Sequence, residues 1–221
     1  MQPRLIATHV PRDPEGVVLV LHGGASRGER MMVSPTQLSV VRMVPVARRL
    51  ARAGRGRLAT YRLLNSYRGW DHEHTPVSDV AWALRELRSS YGELPTALVG
   101  HSLGGRAALL SGSLGPVRSV VALNPWVYPT DDPDLRGRRV LFVHGDRDRI
   151  APLDRSATVA RRLAGSTEVG FVTVPGGKHA MLRRGRVFEQ AATDFVTATL
   201  LGGAAGHPVD RVLAGDSWVT A

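Results

Sequence analysis

The chain has 221 residues, 43% of them hydrophobic, which is enough to bury one sizeable core and short for two. It contains no cysteine, so disulfides, thiolate metal sites and a cysteine nucleophile are excluded. Its formal charge of +10 comes from arginines scattered in pairs such as Arg48-Arg49 and Arg183-Arg184, without a block of five or six, so specific nucleic-acid binding is not expected.

Short β-branched runs alternate with longer stretches of helical period, the signature of β-α-β units and a mostly parallel, twisted sheet flanked by helices. Residues 4–10 are expected as a first strand, and residues 17–21 as a second, covered on both faces because it is apolar throughout. That run falls far short of the roughly 20 apolar residues of a membrane span. The first residues also hold no signal-like apolar block, so a soluble, cytoplasmic protein is the expectation. A helix over 46–53, ended by Gly54, leads to a strand over 58–63. The helix over 77–90 carries Val77, Val80, Ala81, Leu84 and Leu87 at helical spacing. A strand over 96–99, a helix over 103–114 and strands over 117–123 and 139–143 follow. A helix over 154–164, a strand over 169–174 and a helix over 186–201 complete one domain spanning 1–201. From Gly202 the composition turns to Gly, Ala, Pro and polar residues, so 202–221 is expected as a flexible C-terminal tail, with Trp218 able to dock it.

A nucleophilic serine in such a sheet needs a sharp strand-to-helix turn, with glycine two places to either side so that neighbouring backbone can pass. Gly100-His101-Ser102-Leu103-Gly104 has this pattern, and so does Gly24-Ala25-Ser26-Arg27-Gly28. Context separates them. Ser102 stands between an expected strand and a helix opening with small residues, whereas the residues from Arg27 to Pro35 show no helical period.

A serine hydroxyl is a poor nucleophile until a base takes its proton, and that base must be held in one tautomer. The strand over 139–143 runs into His144-Gly145-Asp146-Arg147-Asp148, and the strand over 169–174 into Pro175-Gly176-Gly177-Lys178-His179. Serine, acid and histidine thus come in that order. Both Asp146 and Asp148 are candidates for the acid. His22, His101 and His144, at strand ends, suit structural hydrogen bonding, while His179 in a glycine-rich loop can reach inward. Asp71-His72-Glu73-His74 superficially suggests a metal site, but adjacent loop positions rarely converge on one ion, and no metal is expected.

From Arg4 to Leu201 the chain resembles the α/β-hydrolase superfamily. The resemblance rests on His22-Gly23-Gly24, the Gly100–Gly104 elbow, the Gly145-x-x-Asp148-x-x-x-Pro152 turn and the Gly177-x-His179 loop. It implies a single-domain α/β fold with Ser102 as nucleophile, His179 as base and Asp148 as the acid that orients it, Asp146 being the alternative. It also implies two backbone donors for a developing oxyanion, Leu103 and one from the Gly23-Gly24-Ala25 loop, expected at Gly24 with Ala25 as the alternative. No cofactor is implied.

Only about fifteen residues separate the strand over 117–123 from the next, four of them proline or glycine, so no cap domain fits and the site should be open. Tyr67, Trp70, Trp126 and Tyr128 follow strand ends and are candidates to bind substrate, or else to pack loops on the sheet rim. The expected partner is a small-molecule acyl ester or thioester, hydrolysed through an acyl-enzyme. A non-catalytic member binding a small ligand or partner is the alternative, against which the intact serine, acid and histidine speak.

Overall fold

The computed structural model describes residues 2–24 and 31–221. Its strands are β1 (Arg4–His9), β2 (Gly16–Leu21), β3 (Leu58–Leu64), β4 (Thr96–His101), β5 (Val117–Leu123), β6 (Arg139–Gly145), β7 (Glu168–Val174) and β8 (Trp218–Thr220). They form one sheet in the order β1-β3-β2-β4-β5-β6-β7-β8. β1 pairs antiparallel with β3, and every other pairing is parallel. The helices are α1 (Leu38–Val41), α2 (Met43–Ala53), α3 (Thr75–Tyr91), α4 (Leu103–Leu110), α5 (Leu153–Leu163), α6 (Gly185–Leu201) and α7 (Val209–Leu213). None of the described helices is long and apolar enough to cross a membrane.

The continuous apolar strands are explained by cover on both faces. Val17, Leu19 and Leu21 of β2 pack with α3, α4 and α5, while Val18 and Val20 of the same strand pack with α2 and α6. The segment between β5 and β6 contains no helix or strand, and it buries Val127 and Leu135 against the α3–α5 side, so it adds no cap over the sheet's carboxyl edge.

Three departures from expectation have a physical reason. α2 begins at Met43, because Pro45 falls in the first turn, where its missing N–H has no intrahelical partner to lose. α4 stops at Leu110, since the N–H of Gly112 turns to Leu109 O at 3.2 Å and closes a tighter turn. The third concerns the tail expected to be flexible over 202–221, which is folded. Gly202 marks the left-handed end of α6 (φ 68°), after which α7 and β8 form and β8 pairs with β7. Burial of Val209 and Val219, and the Trp218 ring 4.2 Å from that of Phe171, hold it there. Composition missed these elements because five- and three-residue pieces are too short to show a period.

Candidate functional site

The carboxyl ends of β2, β4, β6 and β7 are brought to one edge of the sheet, and each carries one part of the site. Ser102 occupies the turn between β4 and α4 with φ 56°, ψ −120°, a backbone conformation that ordinary L-residues avoid. The flanking glycines are required by close approach: a Cβ on Gly100 would lie 2.1 Å from Gly104 O, and one on Gly104 would lie 2.5 Å from His22 O. The elbow is therefore pressed against its own helix and against the end of β2.

The Ser102 hydroxyl lies 3.0 Å from Nε2 of His179, whose Nδ1 lies 2.8 Å from Oδ2 of Asp148. An ionised carboxylate only accepts, so Nδ1 carries the proton and Nε2 is left to accept from the hydroxyl. Oδ1 of Asp148 accepts from the N–H groups of Ile150 and Ala151, at 2.8 and 2.9 Å. Burial pushes this carboxyl upward, but His144, His179 and the Ala151 N–H outweigh it and hold Asp148 below the ordinary carboxylate range. Asp146 turns elsewhere and accepts from Gly176 N–H at 2.7 Å.

Three polar side chains that sequence reasoning did not place in this assembly support it. Asn124, fully buried, donates its side-chain amide to Lys178 O and His179 O and accepts from Gly145 N–H at 2.8 Å. One side chain therefore ties the acid-bearing loop to the histidine-bearing loop. His101 also reaches His179 O, donating from Nε2 at 2.8 Å, and burial, assisted by the nearby His179, pushes its pKa down to about 3, so it is neutral. Nε2 of His22 accepts from Asn65 N–H, so its Nδ1–H donates to Gly23 O and fixes the loop after β2 to the end of β3. Only the strand-end position of the two histidines hinted at these roles, and nothing in the sequence singled out Asn124.

Around Ser102 lies a cleft of about 320 Å³, lined by Gly24, Arg42, Leu103, Trp126, Ile150 and His179 among others. Leu103 opens α4, so its N–H has no acceptor within the helix. The alternative donor Ala25 and the rival Ser26 lie outside the described residues. Of the four candidate aromatics, Trp126 lines the cleft and the others do not. Trp70 and Tyr128 instead enclose the Arg106 guanidinium, 4.3 and 4.5 Å from their ring centres, and Arg106 forms a buried two-pronged pair with Asp131 at 2.8 Å. Tyr67 sits in an antiparallel bridge with Met32. In the Asp71–His74 loop, Asp71 accepts from Thr75 N–H at 2.8 Å at the start of α3, and the His74 ring packs on Trp70.

Several solved structures share this architecture. Est1E from Butyrivibrio proteoclasticus is similar with a TM-score of 0.64 at 16% identity, over 89% of this chain and 93% of its own. An alpha-beta serine hydrolase homologue from Coxiella burnetii gives 0.65 at 18%, over 86% and 90%. The esterase domain of a Rhodothermus marinus protein gives 0.60 at 16%, over 90% and 98%. At these identities the likeness is one of fold. No protein-family model matches the chain, and no curated protein matches it.

Proposed function

The chain has the α/β-hydrolase fold, and on it we propose a serine hydrolase that cleaves a carboxylic ester or thioester through an acyl-enzyme on Ser102. The observation that carries the reading is the unbroken sequence of hydrogen bonds from the Ser102 hydroxyl through His179 to Asp148, at 3.0 and 2.8 Å, between three distant chain segments.

Ser102 Oγ attacks the acyl carbon as His179 Nε2 takes its proton, and Asp148 stabilises the imidazolium that results. The N–H groups of Leu103 and Gly24 receive the tetrahedral oxyanion, a role supported by both residues lining the cleft around Ser102. Collapse expels the alcohol or thiol with the proton from His179. Water then repeats the sequence, the proton passing to His179 and back to Ser102 as the carboxylic acid leaves. The absence of any helix or strand between β5 and β6 supports a substrate that reaches an open cleft, with Trp126 and Ile150 bounding it.

A fluorophosphonate probe tests this reading. Wild type and Ser26→Ala are expected to label, and Ser102→Ala to stay unlabelled. Labelling of Ser102→Ala equal to wild type would overturn it.

A further inference from the structure

In an acyl transfer the group that departs must lie on the imidazole side of the nucleophile, because His179 gives it its proton. Three depressions, neighbours through shared lining residues, include His179 and the loop that follows it. The catalytic cleft shares Arg42 with a groove of about 580 Å³ between α2 and the loop after His179. The walls of this groove are mainly apolar, formed by Pro45, Val46, Met181, Leu182, Val187 and Phe188. It in turn shares Arg184 with a depression of about 430 Å³ whose side chains include Arg147, Lys178, Arg183 and Arg184.

That last depression is unusual in its charge. Among the described residues no carboxylate forms an ion pair with any of these four cations or with Arg42. One carboxylate, Asp146, stands at its wall, where it accepts from the N–H of Gly176 rather than pairing with a cation. Like charges at 4 Å repel by about 1 kcal/mol even in water, so four of them around one hollow favour an anion within it. Nε of Arg42, a residue common to cleft and groove, is buried without a hydrogen-bond partner among the described residues. The loop that builds the groove also holds two L-residues in the left-handed region, Met181 at φ 54° and Arg184 at φ 64°. Such conformations cost energy and concentrate where a ligand is gripped. Leu182 is 83% exposed on this wall and gives it an apolar surface.

Resting on the serine-hydrolase reading above, we propose that the leaving group of the substrate crosses the Met181–Leu182 groove and ends in a phosphate held among Arg147, Lys178, Arg183 and Arg184. Its length is bounded by the chain: Arg184 is the fifth residue after His179, a span of at most about 18 Å. A phosphorylated pantetheine arm, with methylene and amide groups for the groove and a terminal phosphate, is of this class. Cleavage breaks the acyl–sulfur bond; the acyl group passes to Ser102 and then to water, and the thiolate takes the proton from His179.

The test compares thioesters of one short acyl group on pantetheine, on 4′-phosphopantetheine and on coenzyme A. The phosphorylated arm should raise kcat/KM over pantetheine about 30-fold, the scale of one charge-assisted hydrogen bond. That ratio should shrink at 1 M salt, where screening reaches about 3 Å. It should fall to within about threefold in the Arg183→Gln/Arg184→Gln double variant, and Arg147→Gln, on the other loop, should lower it in the same direction. Calorimetry with free phosphopantetheine, pantetheine and inorganic phosphate reads the same site without turnover, and phosphopantetheine should bind best. Equal kcat/KM for the pantetheine and phosphopantetheine thioesters, in an enzyme whose Ser102 labels with fluorophosphonate, would overturn this proposal and leave the hydrolase reading standing. A preference for coenzyme A alone, untouched by the arginine variants, would also overturn it, as would inorganic phosphate binding as tightly as phosphopantetheine. Loss of both labelling and turnover would overturn the hydrolase reading, and calorimetry alone would then decide the phosphate site.

Discussion

Asn124 holds His179 by its backbone: the Asn124 amide donates to His179 O at 3.2 Å while its Oδ1 accepts from Gly145 N–H at 2.8 Å, so the acid and histidine loops share one buried side chain. Asn124→Ala would leave the buried Gly145 N–H without its partner, whereas His179 O keeps His101 and Lys178 O keeps the Met181 N–H. The expected cost is about 1–3 kcal/mol of stability. Turnover should fall about 10- to 100-fold through kcat with KM little changed, because the base is misplaced while the cleft keeps its walls. Thermal unfolding and steady-state kinetics on a short-chain ester check both expectations.

Asp148 and Asp146 are two residues apart in one turn and face different partners, His179 Nδ1 at 2.8 Å and Gly176 N–H at 2.7 Å. Asp148→Asn would present a neutral amide to the imidazole and remove the charge that stabilises its protonated form. Loss of kcat by about 10⁴ is expected, the scale on which such orienting carboxylates act. Asp146→Asn should leave turnover within the same order of magnitude. Parallel kinetics on the two variants decide the acid.

Acid should weaken the fold from an unusually high pH. His101 has its pKa pushed down from 6.5 to about 3 in the folded state, chiefly by burial, so between those values the unfolded chain binds more protons than the folded one. Stability from this group is therefore complete above pH 6.5 and drains as pH falls toward 3, by at most about 1.4 kcal/mol per pH unit. His22 is shifted in the same direction, also by burial, and adds to the same limb. Urea unfolding across this range should show a steady decline, flattened in His101→Gln. An unchanged pH slope in that variant would exclude His101 as its source.

The C-terminal elements should contribute to stability. β8 covers the edge of β7, and Val209 and Val219 are buried. Truncation after Gly202 should cost about 3 kcal/mol, or roughly 6–12 °C in Tm. The folded fraction should survive with Ser102 still reactive, since β7 keeps its pairing with β6. A thermal melt compared with fluorophosphonate labelling distinguishes lost stability from lost site.

What the amino-acid sequence determined by itself is the alternation of buried strands with amphipathic helices, and the placing of Ser102, Asp148 and His179 just beyond strands. In a parallel sheet the carboxyl ends of β4, β6 and β7 must share an edge, so residues 77 positions apart in the chain can meet within 3.0 Å. Tertiary structure alone decided matters that depend on the direction of a side chain. It turned Asp148 toward the imidazole and Asp146 away, gave the rings of Trp70 and Tyr128 to Arg106 and left Trp126 at the cleft. It also made a strand of Trp218–Thr220, whose three residues carry no readable period but find a waiting edge in β7. The physical reason is range: local patterns encode which face of an element is buried, whereas the partner of each polar group is chosen by segments that come together only when the chain is folded.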